Sequence, residues 1–448
     1  MTDTGKMNLY LQPGSKASHL YARATKVEPG GNSRQTVYQA PHPSYVQRGY
    51  GCRVVDEDGQ ERIDFVNNLT SLIVGHAHPH VVEAVIAQVQ KGSTFSWPTE
   101  SEIRLAEILT SRVESVERIR FTNSGTEAVM CAVKAARAFT GRPKIAKCEG
   151  CYHGAYDYME VSLEPTPEQG GDPKAPRSVA YTPGASPNIL QDVVVLPFND
   201  LEACEAILAK EKDRLAAIIV DPMPSRVGLI PAQPGFLPGL REITRRYGML
   251  LIADEVITFR LGYHGTQPLF GFRADLTTFG KVIGGGYPVG GVGGSAEVMS
   301  VFDPTKGKPK LPHYGTFNAN PVTMVAGIAT LELITPKAYA HLDELGQAAR
   351  SRLSALFERT GFEAQVTGSG SLFRIIMSRR PLVDYRSSLV SDAAKAVGQQ
   401  LYLGLMARGV ALTNSLLGSI STPMTIQEVE TLVDAVEDTL RELIEQGM

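Results

Sequence analysis

Two side chains at the ends of short apolar segments have the types needed for chemistry on an amino group. Lys281 ends residues 275–281 and is followed by the glycines at 284–286. Asp254 directly follows the apolar run 249–253 and lies 27 positions before the lysine. A lysine for a Schiff base and an aspartate for a pyridinium nitrogen are the two protein groups that pyridoxal phosphate chemistry requires. We therefore expect pyridoxal 5′-phosphate as the cofactor.

Each of these two residues has a defined task in that chemistry. An aspartate behind a buried strand is costly unless it is paired, and beside a pyridinium N–H it keeps that nitrogen protonated. Lys281 binds the cofactor and, once displaced, moves protons at the substrate carbon, because a cationic neighbour lowers the amine pKa. The residues alone leave other roles open: Asp254 as a structural pair or cap, Glu255 as the functional acid, and Lys281 as a solvated surface lysine.

Two turns carry small and hydroxyl residues that suit a phosphate group. Residues 122–128 join a predicted strand to a predicted helix. Backbone N–H groups at a helix N-terminus, with the hydroxyls of Ser124 and Thr126, form a site for a phosphate dianion. Residues 313–321, which include Thr316, have a similar composition, and the basic loop 305–310 before them favours delivery from another subunit. An ordinary helix cap is the alternative for both turns.

Tyr152 follows a predicted strand and is a candidate for stacking on the cofactor ring. An aliphatic residue such as Val256 would then cover the other face of the ring. A boundary aromatic without this function is the alternative for Tyr152, and His153 is a weaker candidate for a direct contact.

No metal ion is expected. Cys148 and Cys151 have the C-x-x-C spacing, but no second pair accompanies them. The three histidines within residues 76–80 are interrupted by a proline and lack a completing carboxylate or cysteine. Capping of the following helix explains them better.

The elements that must position these residues alternate from about residue 100. Predicted strands lie at 119–121, 144–146, 193–196, 217–220, 250–252 and 276–278, with predicted helices at 126–140, 201–210 and 236–247. This alternation predicts an α/β fold with a parallel sheet that is covered on both faces. Ligands of such sheets bind at the carboxyl ends of the strands, where Asp254, Lys281 and the Ser124 turn are all expected.

A chain of 448 residues is long enough for two domains. We expect an N-terminal segment (1–70) that joins the small domain, a large cofactor-binding domain (71–328) and a C-terminal small α+β domain (329–448). Residues 45–66 are predicted to form a hairpin, in which 53–56 and 62–65 flank the tight-turn pair Asp58-Gly59. In the last part, helices are predicted at 337–359, 391–408 and 425–446 around strands near 371–377. The loop 163–191 is a candidate lid or a passive surface insertion.

Composition restricts the partners. The net charge of −3 gives no electrostatic footprint for nucleic acid or an anionic membrane surface. No apolar run reaches about 18 residues, so no membrane span is expected. Residues 1–6 lack the features of a signal peptide, and the five cysteines are odd in number and scattered. The expected location is cytoplasmic.

Seven sequence landmarks occur in an order that resembles the class III, fold-type I pyridoxal phosphate aminotransferases, over about residues 25–440. They are Asp-x-Asp-Gly at 56–59, Gly-His-x-His-Pro at 75–79, Asn-Ser-Gly-Thr-Glu-Ala at 123–128, Tyr-His-Gly at 152–154, Asp-Glu-Val at 254–256, Gly-Lys at 280–281 and Gly-Thr-Phe at 315–317. The resemblance implies a large, mostly parallel seven-stranded sheet domain, a smaller α+β domain, and a homodimer with shared active sites.

The resemblance also assigns roles in the cofactor site. It implies Lys281 as the Schiff-base lysine, Asp254 on the pyridine nitrogen, Ser124, Gly125 and Thr126 on the phosphate, Tyr152 and Val256 on the two ring faces, and Thr316 on the phosphate in the partner subunit.

Two branches of the family are similar to this chain. Residues 147–154 and the long loop 163–191 resemble glutamate-1-semialdehyde aminomutases, whereas residues 29–34 and 40–43 look more like β-amino-acid (β-phenylalanine type) aminotransferases. Arg34 is then the candidate for the substrate carboxylate, since a guanidinium matches it bidentately; a surface arginine in a turn is the alternative.

Asp221 departs from the glutamate that is usual in the family at this position. The nearby Arg226 is also unusual there and could offer a second contact to an anionic group.

The expected activity is transfer of an amino group from a β-amino acid or related carboxylate-bearing amine to a keto acid, by way of a Schiff base and pyridoxamine phosphate. The alternative is an isomerase like glutamate-1-semialdehyde 2,1-aminomutase, and a racemase is a third possibility. A cofactor-binding protein without turnover belongs to another class, and the presence of both Lys281 and Asp254 argues against it.

Overall fold

The computed structural model describes residues 7–445. The N-terminal residues 1–6, on which the expected location depended, and residue 446 of the predicted last helix lie outside the described part. The described chain forms two compact units. The larger unit contains His80–Tyr339 and Pro381–Leu389; the smaller unit contains the described residues up to Pro79, Ala340–Arg380 and the described residues from Val390. The domain boundaries at 70 and 328 stay a prediction.

The strands of residues 7–445 are, in chain order, β1 (Val46–Tyr50), β2 (Arg53–Asp56), β3 (Glu61–Asp64), β4 (Arg118–Thr122), β5 (Lys144–Cys148), β6 (Val193–Leu196), β7 (Leu215–Val220), β8 (Leu250–Asp254), β9 (Leu276–Gly280), β10 (Gly290–Gly294), β11 (Gln365–Thr367), β12 (Leu372–Ile376), β13 (Val410–Ala411) and β14 (Leu417–Ser419).

The α-helices of the same residues are, in chain order, α1 (Lys16–Ala24), α2 (Asn67–Thr70), α3 (Pro79–Val89), α4 (Glu100–Arg112), α5 (Gly125–Thr140), α6 (Asp157–Glu160), α7 (Pro167–Gly170), α8 (Pro187–Asp192), α9 (Leu201–Glu211), α10 (Phe236–Tyr247), α11 (Ala296–Met299), α12 (Pro321–Leu333), α13 (Pro336–Thr360), α14 (Tyr385–Ser388), α15 (Asp392–Ala407) and α16 (Ile426–Glu445). None of them combines the length and apolar character that a membrane span requires.

A seven-stranded sheet forms the centre of the larger unit. Its strand order is β4-β10-β9-β8-β7-β5-β6. Strands β9, β8, β7, β5 and β6 run parallel, and β10 is antiparallel to both β4 and β9. The prediction of an α/β fold with a large, mostly parallel seven-stranded sheet is confirmed.

Helices cover both faces of this sheet because side chains alternate along each strand. In β7, Ile218 and Val220 pack in a core with α9 and α10, whereas Ala217 and Ile219 pack in a second core with α5. All of β7 is buried, which explains its continuous apolar sequence. The burial of both faces fixes the register of the strands, so the strand ends are held in fixed positions relative to one another.

Strand β10 was not predicted, because Val292 is its only residue with a side chain. The structure explains this composition at Gly290, where a Cβ atom would lie 2.0 Å from the backbone oxygen of Ser124. Glycine is therefore required at position 290 because its backbone passes close to that of Ser124, and not because glycine favours β-strands.

The smaller unit has two sheets, ordered β1-β2-β3-β13 and β11-β12-β14. The predicted hairpin is β2 and β3, paired antiparallel, and the predicted long helices are α13, α15 and α16. Phe65 and Phe373 pack edge to face with ring centroids 5.9 Å apart. This unit has the α+β composition that was predicted.

Candidate active site

Four loops of the larger unit begin at the carboxyl ends of parallel strands. Tyr152 follows β5, Asp221 follows β7, Asp254 ends β8, and Lys281 follows β9. Since β5, β7, β8 and β9 are consecutive neighbours in the sheet, these loops share one edge. This is the edge where ligands of parallel α/β sheets bind.

Asp254 is held by three neighbours. One carboxylate oxygen, Oδ1, accepts hydrogen bonds from the Thr278 hydroxyl at 3.0 Å and the Val256 backbone N–H at 3.1 Å. The other, Oδ2, lies 2.7 Å from Nδ1 of His153. Asp254 is 5% exposed and His153 is 1% exposed. A buried carboxylate of fixed orientation results.

His153 has a larger role than the sequence indicated. Burial lowers the pKa of His153, but the hydrogen bonds and charges of Asp254 and Cys151 together outweigh burial, so the net pKa is above the usual value. A proton on His153 is therefore held more tightly than on a free imidazole, and the ring is positioned to donate to Asp254. The adjacent tyrosine drew attention to this segment, but no sequence signal indicated the contact with a residue 101 positions away.

Lys281 lies within reach of the charges of Asp254 and Asp221 and has an unusual backbone conformation. Its φ is 49°, which costs a residue with a side chain about 1–2 kcal/mol. Burial lowers the pKa of its amine, against the opposing charges of Asp254 and Asp221. Within residues 7–445 the amine makes no hydrogen bond or ion pair. A strained, buried and unpaired lysine indicates a functional rather than a structural residue.

Asp221, the departure from the family pattern, is buried and folds back on its own turn. Its Oδ1 accepts a hydrogen bond from the Met223 backbone N–H at 2.9 Å. Burial, followed by the charge of Asp254, raises the pKa of Asp221 well above its usual value. When ionised, Asp221 opposes the lowering of the Lys281 pKa by burial.

The predicted phosphate turn begins the 16-residue helix α5. Ser124 is the N-cap, with its Oγ accepting from the Glu127 N–H at 3.1 Å, so the structural alternative for Ser124 is realised. Its hydroxyl hydrogen stays available to donate to an anion. Thr126 Oγ1 accepts from the Ala155 N–H at 3.2 Å. A Cβ atom on Gly125 would lie 2.9 Å from Val256, so glycine permits the close approach.

Tyr152 is 38% exposed and lies beside a second cation. The guanidinium of Arg226 is over its ring, with Cζ 5.5 Å from the centroid. Arg226 also forms an ion pair with Glu164. Neither the pair nor the position of Glu164 was predicted.

Thr316 lies in an exposed segment that contacts the phosphate turn of its own subunit. Tyr314 is 87% exposed and Phe317 is 59% exposed. Asn318 Oδ1 accepts a hydrogen bond of 2.9 Å from the side-chain amide of Asn123, the residue before Ser124.

Arg34 belongs to the smaller unit and is exposed. Its Nη1 donates to Asn68 Oδ1 at 2.8 Å. Asn68 is part of a run of positive φ angles, 48°, 47°, 54° and 75° over residues 67–70. Such a run without glycine is strained, and the sequence gave no sign of it. The structure thus orients Arg34 within its own unit.

Residues 7–445 contain no group of three or more histidine, cysteine, aspartate or glutamate residues that could hold an ion. His76, from the histidine cluster, instead lies 2.7 Å from Asp64 Oδ2.

Known proteins of two kinds are similar to this chain over nearly its whole length. It is 38% identical to the glutamate-1-semialdehyde 2,1-aminomutase of Heliobacterium modesticaldum, over 95% of this chain and 97% of the relative. A crystal structure of an omega-transaminase from Sphaerobacter thermophilus is 53% identical, covers 97% of this chain and 99% of its own, and has a TM-score of 0.95. A β-phenylalanine aminotransferase structure from Variovorax paradoxus is 35% identical, covers 95% and 94%, and has a TM-score of 0.86.

The names of the curated relatives favour the aminomutase, which was the alternative expectation, over a transfer between two molecules. The transaminases are found among the solved structures. The model of the aminotransferase class III family matches residues 35–442. The chain therefore belongs to the class III aminotransferase family, and both the predicted enzyme class and the predicted cofactor, pyridoxal 5′-phosphate, are confirmed.

Proposed function

We propose that this enzyme is a transaminase that takes the amino group of a β-amino acid or a related carboxylate-bearing amine and gives it to a keto acid. The observation that carries the proposal is the 53% identity with the omega-transaminase, compared with 38% to the aminomutase, at similar coverage. The likeness to the β-phenylalanine aminotransferase supports the choice of a β-amino acid as the donor.

The site residues fit the cofactor. A buried carboxylate, an unpaired amine and a helix N-terminus that begins with Ser124, Gly125 and Thr126 match its ring nitrogen, aldehyde and phosphate. When bound, the cofactor withdraws electrons from the carbon that bears the amino group.

Lys281 holds the cofactor and serves as the base. Its lowered amine pKa increases the fraction of free amine near neutral pH, which is the form that accepts a proton. In our proposal it takes the proton from the substrate carbon that carries the amino group. The same amine would then release this proton, which returns Lys281 to the free-amine form.

Asp254 would keep the ring nitrogen of the bound cofactor protonated, and the contact with His153 holds the Asp254 carboxylate in place. Thr278 fixes the second carboxylate oxygen, so the acid cannot turn away. At the other end of the cofactor, Ser124, Gly125 and Thr126 would bind the phosphate through backbone N–H and hydroxyl groups. Tyr152 and Val256 would cover the two ring faces in the manner implied by the family.

Arg34 is our candidate for the donor carboxylate. Its planar guanidinium presents two parallel N–H groups, which suit a carboxylate better than a lysine does. The hydrogen bond to Asn68 limits the rotation of the side chain. This restriction lowers the entropy cost of holding a substrate.

A homodimer with shared active sites is part of the proposal. Val82, Ile86 and Val89 lie at helical spacing on α3 and are 40%, 53% and 51% exposed. An exposed apolar stripe of this kind favours a protein interface. Thr316 would then reach the phosphate in the other subunit. Light scattering during size-exclusion chromatography tests this, and an active monomer would contradict it.

The second candidate is a glutamate-1-semialdehyde aminomutase, which the names of the curated relatives favour. It would use the same residues but return the amino group to the same molecule. Site geometry does not separate the two activities, because proton transfer at a carbon bearing nitrogen is common to both.

The deciding experiment adds a β-amino acid to the purified holoenzyme without any keto acid. Loss of the visible absorbance of the lysine-bound cofactor, with one keto product released per site, supports the transaminase. Glutamate-1-semialdehyde is added to a parallel sample. Conversion to an isomeric amino acid, with no response to the β-amino acid, would replace our proposal with the aminomutase.

A further inference from the structure

The turn at residues 67–70 has a backbone conformation that side chains disfavour. All four residues have positive φ angles, from 47° to 75°, and none of them is glycine. Strained conformations of this kind persist only where the surrounding structure determines them, and they cluster at ligand sites. The turn follows β3 and belongs to the smaller unit, as does Arg34.

Hydrogen bonds from two directions hold the start of this turn. Asp64 Oδ1 accepts from the backbone N–H groups of Val66 and Asn67, at 2.8 and 3.0 Å. Asn67 is fully buried, and its Nδ2 donates to the backbone oxygen of Ser419 at 2.8 Å. Asn68, the next residue, is exposed. A buried frame therefore presents the side-chain amide of Asn68 at the surface of the unit.

The contact with Arg34 fixes the orientation of this amide. Arg34 Nη1 donates to Asn68 Oδ1 at 2.8 Å. A guanidinium has donors and no acceptor, so the amide oxygen, and not the amide nitrogen, faces Arg34. Within residues 7–445, Asn68 Nδ2 donates no hydrogen bond to another residue. Asn68 thus offers unused N–H donors beside a cation.

A carboxylate can accept more hydrogen bonds than one guanidinium supplies. It has about four lone-pair positions, of which a bidentate arginine occupies only about two. The Arg34 backbone is held by its N–H, which donates to Asn32 Oδ1 at 2.9 Å. Because Nδ2 and Oδ1 of Asn68 belong to one small planar amide, Nδ2 lies close to the Arg34 guanidinium. Arg34 and Asn68 together form a group of donors with one positive charge.

We propose that Asn68 is a specificity-determining residue that donates a hydrogen bond from Nδ2 to the carboxylate of the amino donor, alongside the guanidinium of Arg34. This rests on the proposed function, in which a β-amino acid is the donor and Arg34 binds its carboxylate. The ligand that both side chains recognise is an anionic group with two acceptor oxygens. The left-handed turn holds the Asn68 amide where Arg34 orients it.

The test uses two variants that do not oppose the turn, because glycine and aspartate, like asparagine, tolerate positive φ angles. Stopped-flow absorbance of the holoenzyme gives the β-phenylalanine concentration that half-saturates the donor half-reaction. In Asn68→Gly this concentration should rise about three- to tenfold, since one hydrogen bond is lost. In Asn68→Asp it should rise about ten- to a hundredfold, because the introduced acid pairs with Arg34 and repels the substrate carboxylate. The maximal rate should change by less than about threefold in both variants.

Combination with Arg34→Ala separates direct contact from an effect that is exerted through Arg34. If Asn68 contacts the substrate, Asn68→Gly should raise the half-saturating concentration about two- to tenfold further in the Arg34→Ala background. If Asn68 only orients Arg34, the same substitution should have no effect in that background. The second result would overturn the inference.

The control for the change of an amide to an acid is Gln400→Glu, at an exposed position on α15 of the same unit. It should leave the donor half-reaction unchanged. A half-saturating concentration in Asn68→Asp equal to or below that of the wild type would also overturn the inference, while the transaminase stands. Failure of the proposed function is distinct, because β-amino acids would then leave the absorbance of the wild-type cofactor unchanged.

Discussion

The buried acids around Lys281 and the Arg226–Glu164 pair belong to the same unit but differ in physical character. Asp254 and His153 are almost inaccessible to water, and their hydrogen bonds fix their orientation. Arg226 and Glu164 are partly solvated, and water weakens their interaction. Burial shifts proton affinities and suits proton transfer, whereas partial exposure leaves an ion pair weak and in contact with solvent.

Replacement of Lys281 is expected to have the largest effect. Lys281→Ala should lower kcat at least about a thousandfold, since both the covalent attachment and the base are lost. Steady-state rates with a β-amino acid and a keto acid measure this effect. The exposed Lys210→Ala is the control, and a Lys281→Ala rate within tenfold of wild type would contradict the role.

Asp254→Asn should lower the rate of the donor half-reaction about a hundredfold or more, because the neutral amide no longer favours the protonated ring nitrogen. Stopped-flow absorbance gives this rate. Thr278→Val removes only one hydrogen bond to the same carboxylate and should cost less than about tenfold. Similar losses in the two variants would mean that the orientation of Asp254, rather than its charge, is essential.

Lys147 tests whether burial alone lowers an amine pKa in this sheet. It is fully buried, and its Nζ donates to the Val161 oxygen at 2.7 Å. Burial lowers its pKa from 10.5 to about 8. Between these values the unfolded chain binds the proton and the folded protein does not, so the stability of the wild type should rise with pH in this window.

The Lys147→Met variant lacks this titration. Relative to it, the wild type should gain up to about 3 kcal/mol of unfolding free energy from pH 8 to 10.5, at about 1.36 kcal/mol per pH unit. Urea denaturation at several pH values measures the difference. Lys210→Met should show no such trend, and a flat difference for Lys147→Met would refute the shifted pKa.

Arg34→Ala should have a smaller effect than the replacements of Lys281 and Asp254, a rise of about tenfold in the donor KM with kcat nearly unchanged. Arg34 is exposed, so its carboxylate contact is partly screened by water. The exposed Arg23→Ala of the same unit is the control. An unchanged donor KM would remove Arg34 from substrate binding and leave selection to the larger unit.

Most of the architecture was predictable because its signals are local. All six predicted strands of the sheet are present, and the helices agree within a few residues. Strand β10 was missed because glycines carry no hydrophobic pattern. Within the candidate site, residue type and position at a strand end predicted Asp254 and Lys281, which the structure places at the same edge of the sheet. The contact of His153 with Asp254 and the ion pair of Arg226 with Glu164 could not be predicted, since the partners are distant in the chain.

The sequence by itself determined the alternation of strands and helices, the chemistry of the lysine and the aspartate, and the cofactor. These follow from short-range periodicity and from the intrinsic reactivity of side chains. Only the tertiary structure decided which charges are buried together, that Lys281 has a left-handed backbone, and that Arg226 faces Glu164 over Tyr152. The physical reason is that pKa values and ion pairs depend on neighbours in space, which the order of strands in the sheet brings together.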